Sequence, residues 1–116
     1  MNLADTLAPL LEAPGATAAA FLDPQGQAIA QVGDPEAVER LGAYQSVWMS
    51  DIRRAVAPGG LGDVTEVDLD FESGRILASM VREGYFVLVV FGPDGVPALA
   101  RPKLTSVRRV LAAEVG

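Results

Sequence analysis

Apolar positions divide the chain into segments with two different periods. Residues 3–13, "LADTLAPLLEA", put Leu3, Leu7, Leu10 and Leu11 at helical spacing, and Pro9 should kink that helix or mark a first turn. "ATAAAFLD" (16–23) is a run of small apolar residues, and "QAIAQVG" (27–33) alternates. The two read as a hairpin closed by Asp23-Pro24-Gln25-Gly26, with proline second and glycine last in the turn. Asp34 before Pro35 is an N-cap followed by proline at the first helical position. The longest helical pattern follows over 35–57. Its main stripe is Ala37, Leu41, Tyr44, Trp48, Ile52 and Ala55, with Val38, Gly42, Met49 and Val56 alongside. Together the stripes span an arc of about 140°, where a helix that only covers a sheet needs about 100°. The surplus predicts contact with the chain's own sheet and with something else.

"DVTEVDLDFE" (63–72), "RILASMVR" (75–82) and "YFVLVVF" (85–91) predict a three-strand meander with turns at Ser73-Gly74 and Glu83-Gly84. The last strand is apolar on both faces, so it belongs in the middle of a sheet with elements above and below. Residues 101–115 form the final helix, buried through Leu104, Val107, Val110 and Leu111, with Pro102 in its first turn or at a bend after a start near Pro97. The order α-ββ-α-βββ-α predicts an α+β fold: one domain over 1–116, a single five-stranded antiparallel sheet with helices on both faces.

Composition narrows the chemistry. Half of the 116 residues are hydrophobic, enough for a core without staples. There is no Cys, hence no disulfide, thiolate metal site or thiol nucleophile, and no His, hence no imidazole base or ligand. Catalysis would have to rest on carboxylates, Lys103 or tyrosines. A net charge of -6 disfavours nucleic acid and anionic membranes as partners. The N-terminus lacks the basic start of a signal peptide, and no apolar run reaches the roughly 18 residues of a membrane span. The expected location is cytoplasmic.

The most unusual chemistry lies in "TEVDLDFESG" (65–74), where Glu66, Asp68, Asp70 and Glu72 alternate with Val67, Leu69 and Phe71. On a strand these carboxylates share one face with Cβ atoms roughly 6–7 Å apart, so they diverge from any single ion. A carboxylate pair for glycoside chemistry would need a sugar cleft that nothing suggests. A guarded sheet edge, a solvated face or a partner surface remain. With Ser73-Gly74 as the turn, Glu72 would face Arg75, Asp70 Leu77, Asp68 Ser79 and Glu66 Val81, leaving three acids without a partner in the hairpin. If this strand pairs with its own copy across a two-fold axis, Arg53 and Arg54, from either subunit, are the candidate counter-charges. "RRAVAPGGLGD" (53–63) lacks the ending of a phosphate loop and leads into a strand, so it reads as a helix end and connector. Arg108 and Arg109 read as a solvated face.

The element order, "GATAAAFLDPQGQAIA" (15–30), "GYFVLVVFGPDGVPALAR" (84–101) and the long middle helix together resemble the Roadblock / dynein light chain superfamily, which includes the bacterial MglB-type regulators of Ras-like GTPases. The resemblance covers nearly the whole chain, but it is one of pattern and order, and none of these segments is a catalytic signature. It implies a homodimer in which strand 63–72 pairs with its own copy and the two middle helices lie side by side. The interface it implies comprises Val38, Leu41, Gly42, Gln45, Trp48, Met49, Ile52, Val56, Val64, Glu66, Asp68 and Asp70. Tyr44 and Trp48 are core or dimer residues. Candidate partner contacts are Arg53, Arg54, Ser46 and Ser50, with a catalytic arginine at Arg53 or Arg54 as a further option. The function implied is a platform for a small Ras-like GTPase that orders the partner's switch loops. The protein itself carries no catalytic, cofactor or metal site and is not an enzyme. The rival readings are a scaffold without effect on turnover and a small-molecule sensor, which would need an apolar cavity.

Overall fold

A computed structural model describes residues 2–115. The elements are α1 (Leu3–Leu7), a 3-10 segment (Ala8–Glu12), β1 (Ala16–Leu22), β2 (Ala28–Gly33), α2 (Pro35–Val56), β3 (Glu66–Phe71), β4 (Gly74–Arg82), β5 (Tyr85–Phe91) and α3 (Arg101–Val115), with short 3-10 turns at Ala57–Gly59 and Pro97–Leu99. The strands form one antiparallel sheet in the order β2-β1-β5-β4-β3. The apolar strand β5 is its centre, as two-faced hydrophobicity requires.

Local chemistry accounts for the boundaries. Pro9 ends the α-helical turn and opens the 3-10 segment. Asn2 caps α1, its side chain accepting from the Ala4 N–H. The β1–β2 turn is held by Asp23, whose Oδ1 accepts from the N–H groups of Gln25 and Gln27 at 2.9 and 3.0 Å. Asp34 caps α2 by accepting from the Glu36 N–H at 3.0 Å.

Each face of the sheet carries its own core. Ala19, Phe21, Leu77, Val87, Val89 and Phe91 lie under α1, the 3-10 segment and α3 with Leu7, Leu10, Leu104, Val107 and Leu111. Ala18, Ala20, Leu22, Ile76, Ala78, Phe86 and Leu88 lie on the α2 face with Ala37, Val38 and Met49. The alanines of β1 let helices approach closely from both sides.

The structure corrects three details. Val110 is 38% exposed and outside the core; α3 buries only Leu104, Val107 and Leu111. The buried line of α2 runs through Ala37, Val38, Gly42, Gln45 and Met49, while Tyr44 and Val56 are exposed. The β3–β4 register is two residues from the one expected: Glu66 faces Ser79, Asp68 Leu77, Asp70 Arg75 and Phe71 Gly74. The turn is therefore Glu72-Ser73. Gly74 is the first residue of β4, where a Cβ would lie 2.6 Å from the Phe91 carbonyl oxygen, so the position requires glycine.

Candidate protein-interaction surface

Helix α2 lies mainly over β1 and β2. Its flank towards β4 and β3 is left as one wall of a trough whose floor is the apolar side of those strands. Leu41, Trp48, Val64, Val67, Met80 and Val90 are only half-buried against that core. Leu69 is also half-buried, and Phe71 is 55% exposed at the end of β3. At that end a groove of about 350 Å³ runs between Ala37, Arg40 and Leu41 of α2 and Phe71, Arg75 and Ile76 of the hairpin. Tyr44 and Val47 stand 68% and 59% exposed on α2. An apolar trough of this kind, rimmed by polar side chains, is a candidate contact surface.

The trough borders an open sheet edge. The Met80 N–H donates to the Thr65 carbonyl at 2.8 Å. Antiparallel alternation then engages Val67, Leu69 and Phe71 with β4 and turns the backbone groups of Glu66, Asp68 and Asp70 outwards. Those outward groups can accept an added strand.

The side chains of Glu66, Asp68 and Asp70 lie on the opposite face, beside α3, and two arginines of the same chain pair with them. Arg101 at the start of α3 donates through Nε to Glu66 at 3.0 Å and lies 3.7 Å from Asp68. Arg75 reaches Asp68 at 3.3 Å and Asp70 at 3.7 Å. Within one chain Arg53 and Arg54 do not cover this row. Arg53 forms a two-pronged bond with Asp63, Nε to Oδ1 at 2.8 Å and a second nitrogen to Oδ2 at 2.5 Å. This bond raises the Arg53 pKa and lowers that of Asp63. Arg54 pairs with Asp51 at 2.6 Å. Each arginine took the nearest carboxylate, so neither guanidinium is free. Among the described residues no three acidic side chains gather as a metal-holding group, and no helix is long and apolar enough to cross a membrane.

The remaining expected contact residues divide by burial. Val38, Gly42, Gln45 and Met49 are buried within the single chain. Leu41, Trp48, Ile52 and Val64 are half-buried, and Val56 and Ser50 are exposed. Ser46 donates to the Gln25 carbonyl at 3.3 Å, tying α2 to the β1–β2 turn. The sequence reading missed Val67, Leu69 and Phe71 as contact candidates, although their alternation with the acids signalled an apolar face. It missed Arg101 for a different reason: that residue meets Glu66 from 35 positions away.

These features define a small α+β protein with an apolar trough beside an open sheet edge. Comparison with solved structures identifies the fold. The chain superimposes on a Roadblock/LC7 domain from Streptomyces avermitilis with a TM-score of 0.87 at 22% identity, covering 99% of this chain and 98% of that one. MglB of Myxococcus xanthus gives a TM-score of 0.83 at 13% identity, covering 97% and 94%. The gliding protein MglB of Thermus thermophilus gives 0.83 at 16%, covering 96% and 86%. The chain has the Roadblock/LC7 fold. A scan against protein-family models finds no match, and no curated protein matches.

Proposed function

We propose that this protein is a non-enzymatic regulator or platform for a small Ras-like GTPase and that it works as a homodimer. The observation that carries the reading is the apolar trough lying directly beside an open edge strand. Two copies related by a two-fold axis could add β3 to β3 through the outward groups of Glu66, Asp68 and Asp70, and each copy's α2 flank would then cover the other's trough. Strand addition supplies the hydrogen bonds, and the half-buried Leu41, Trp48 and Val67 with the exposed Phe71 supply the apolar area. The Roadblock fold shared with MglB and with MglC of Myxococcus xanthus (TM-score 0.70, 17% identity) supports a regulatory role. One solved MglB is described as having a tetrameric arrangement, which supports self-association as a property to test here.

Any acceleration of GTP hydrolysis would act through the partner's own residues. The Arg53–Asp63 and Arg54–Asp51 pairs support a reading in which neither arginine enters the partner's site. The test is GTP turnover by a small P-loop GTPase encoded beside this protein, with and without it, together with a binding assay and sedimentation of the protein alone. Binding with faster turnover supports the regulator. Binding with unchanged turnover replaces it with the scaffold, and a monomer that binds no GTPase refutes both.

A further inference from the structure

Nine Lys and Arg side chains share this chain with fifteen Asp and Glu. Six of the cations lie beside a carboxylate: Arg40, Arg53, Arg54, Arg75, Arg101 and Lys103. Among the described residues the other three, Arg82, Arg108 and Arg109, have no carboxylate partner, and all three lie where α3 crosses β4. Arg108 donates to the Ser79 hydroxyl at 3.0 Å, and the Arg82 Nε donates to the Ala112 carbonyl at 2.9 Å. These neutral acceptors fix the two guanidiniums without cancelling their charge. Arg109 is exposed.

Between them runs a groove of about 460 Å³ lined by Thr65, Met80, Val81, Thr105, Arg108, Arg109 and Ala112. Val81 and Ala112 are half-buried and apolar, while Thr65 and Thr105 are exposed on its rim; the Met80 side chain packs on the other face of the sheet. In a chain with a surplus of acids, unpaired cations gathered over apolar side chains form a surface complementary to an acidic, partly apolar chain segment. We propose that this groove docks an acidic peptide segment of a partner protein, a carboxylate meeting Arg108 and Arg109 and its apolar neighbours covering Val81 and Ala112. A nucleic acid or anionic bilayer would need many phosphate contacts and would be repelled by the net charge of -6. The site lies on the α3 face, so it is independent of the α2 trough and of the dimer reading.

The test is amide NMR of the full chain titrated with a short capped peptide of alternating leucine and glutamate. Parallel titrations use a leucine–lysine peptide and inorganic phosphate. Saturable shifts at Thr65, Val81, Arg109 and Ala112 are expected with the glutamate peptide alone, weakening as salt rises. Arg109→Glu should weaken binding roughly tenfold, because it removes one charge-assisted contact and adds a like charge. Its exposed side chain keeps the fold out of the comparison, which circular dichroism verifies. Arg54→Glu, on α2, should leave affinity unchanged. Shifts confined to other surfaces, affinity indifferent to Arg109→Glu, or an equal response to the lysine peptide or to phosphate would each overturn the proposal.

Discussion

Phe71 offers a clean probe of the trough because it contributes little to the fold of a single chain. It ends β3 opposite Gly74 and is 55% exposed. A phenylalanine carries roughly 200 Å² of surface, so about 110 Å² of Phe71 remains open to water. Covering half of that area at about 25 cal/mol per Å² is worth about 1.4 kcal/mol per copy. A two-fold interface counts the residue twice, giving about 2.8 kcal/mol, or roughly a hundredfold in the dimer dissociation constant. Phe71→Ser should therefore raise that constant about a hundredfold in sedimentation equilibrium. The urea midpoint of the isolated chain should fall by the equivalent of about 1 kcal/mol or less, as for substitutions outside a core. A wild-type chain that stays monomeric at high concentration would refute the reasoning. So would a Phe71→Ser variant that dimerises with unchanged affinity.

Three further outcomes follow from the monomer. Leu88, fully buried on central β5, should cost about 2–5 kcal/mol as Leu88→Ala in urea unfolding, with the slope unchanged. Asp63 should titrate by NMR below its ordinary value of 3.8, because Arg53 donates to its carboxylate. Its stabilising effect is present above the unfolded value and is lost as pH falls through the depressed native one, and Arg53→Gln should return the midpoint to the ordinary range. Arg101→Gln should cost roughly 0.2–1 kcal/mol, since Glu66 and Asp68 are only partly covered; thermal unfolding should show the loss shrinking as salt is added.

Periodicity and turn chemistry made most of the fold legible. Asp34-Pro35, Asp23-Pro24-Gln25-Gly26 and the two-faced apolar strand β5 each carry their meaning within a few residues, and each stands where the pattern placed it. The β3–β4 turn was misread because the requirement on Gly74 comes from Phe91, a strand neighbour far along the chain. The same holds for charge. Which arginine meets which carboxylate depends on where α3 begins over the sheet, and the Arg101–Glu66 contact has no local signature. On α2 the sequence showed an arc that was too wide, but it could not say which part of the arc the chain covers itself. Gln45 shows the limit well: a polar residue by type, it lies 1% exposed among the buried positions.

The strand order also governs the timing of folding during synthesis. β5 lies between β1 and β4, so the first hairpin and the β3–β4 hairpin have no shared neighbour until residues 85–91 exist. At about 5–20 residues per second, the ribosome takes roughly 3–14 s to pass from the end of β1 to the end of β5. Throughout that interval the edge of β1 that β5 will cover has no mate. The last strand thus works as a zipper closed late, and a released chain truncated before residue 85 carries two unjoined apolar hairpins rather than one folded sheet.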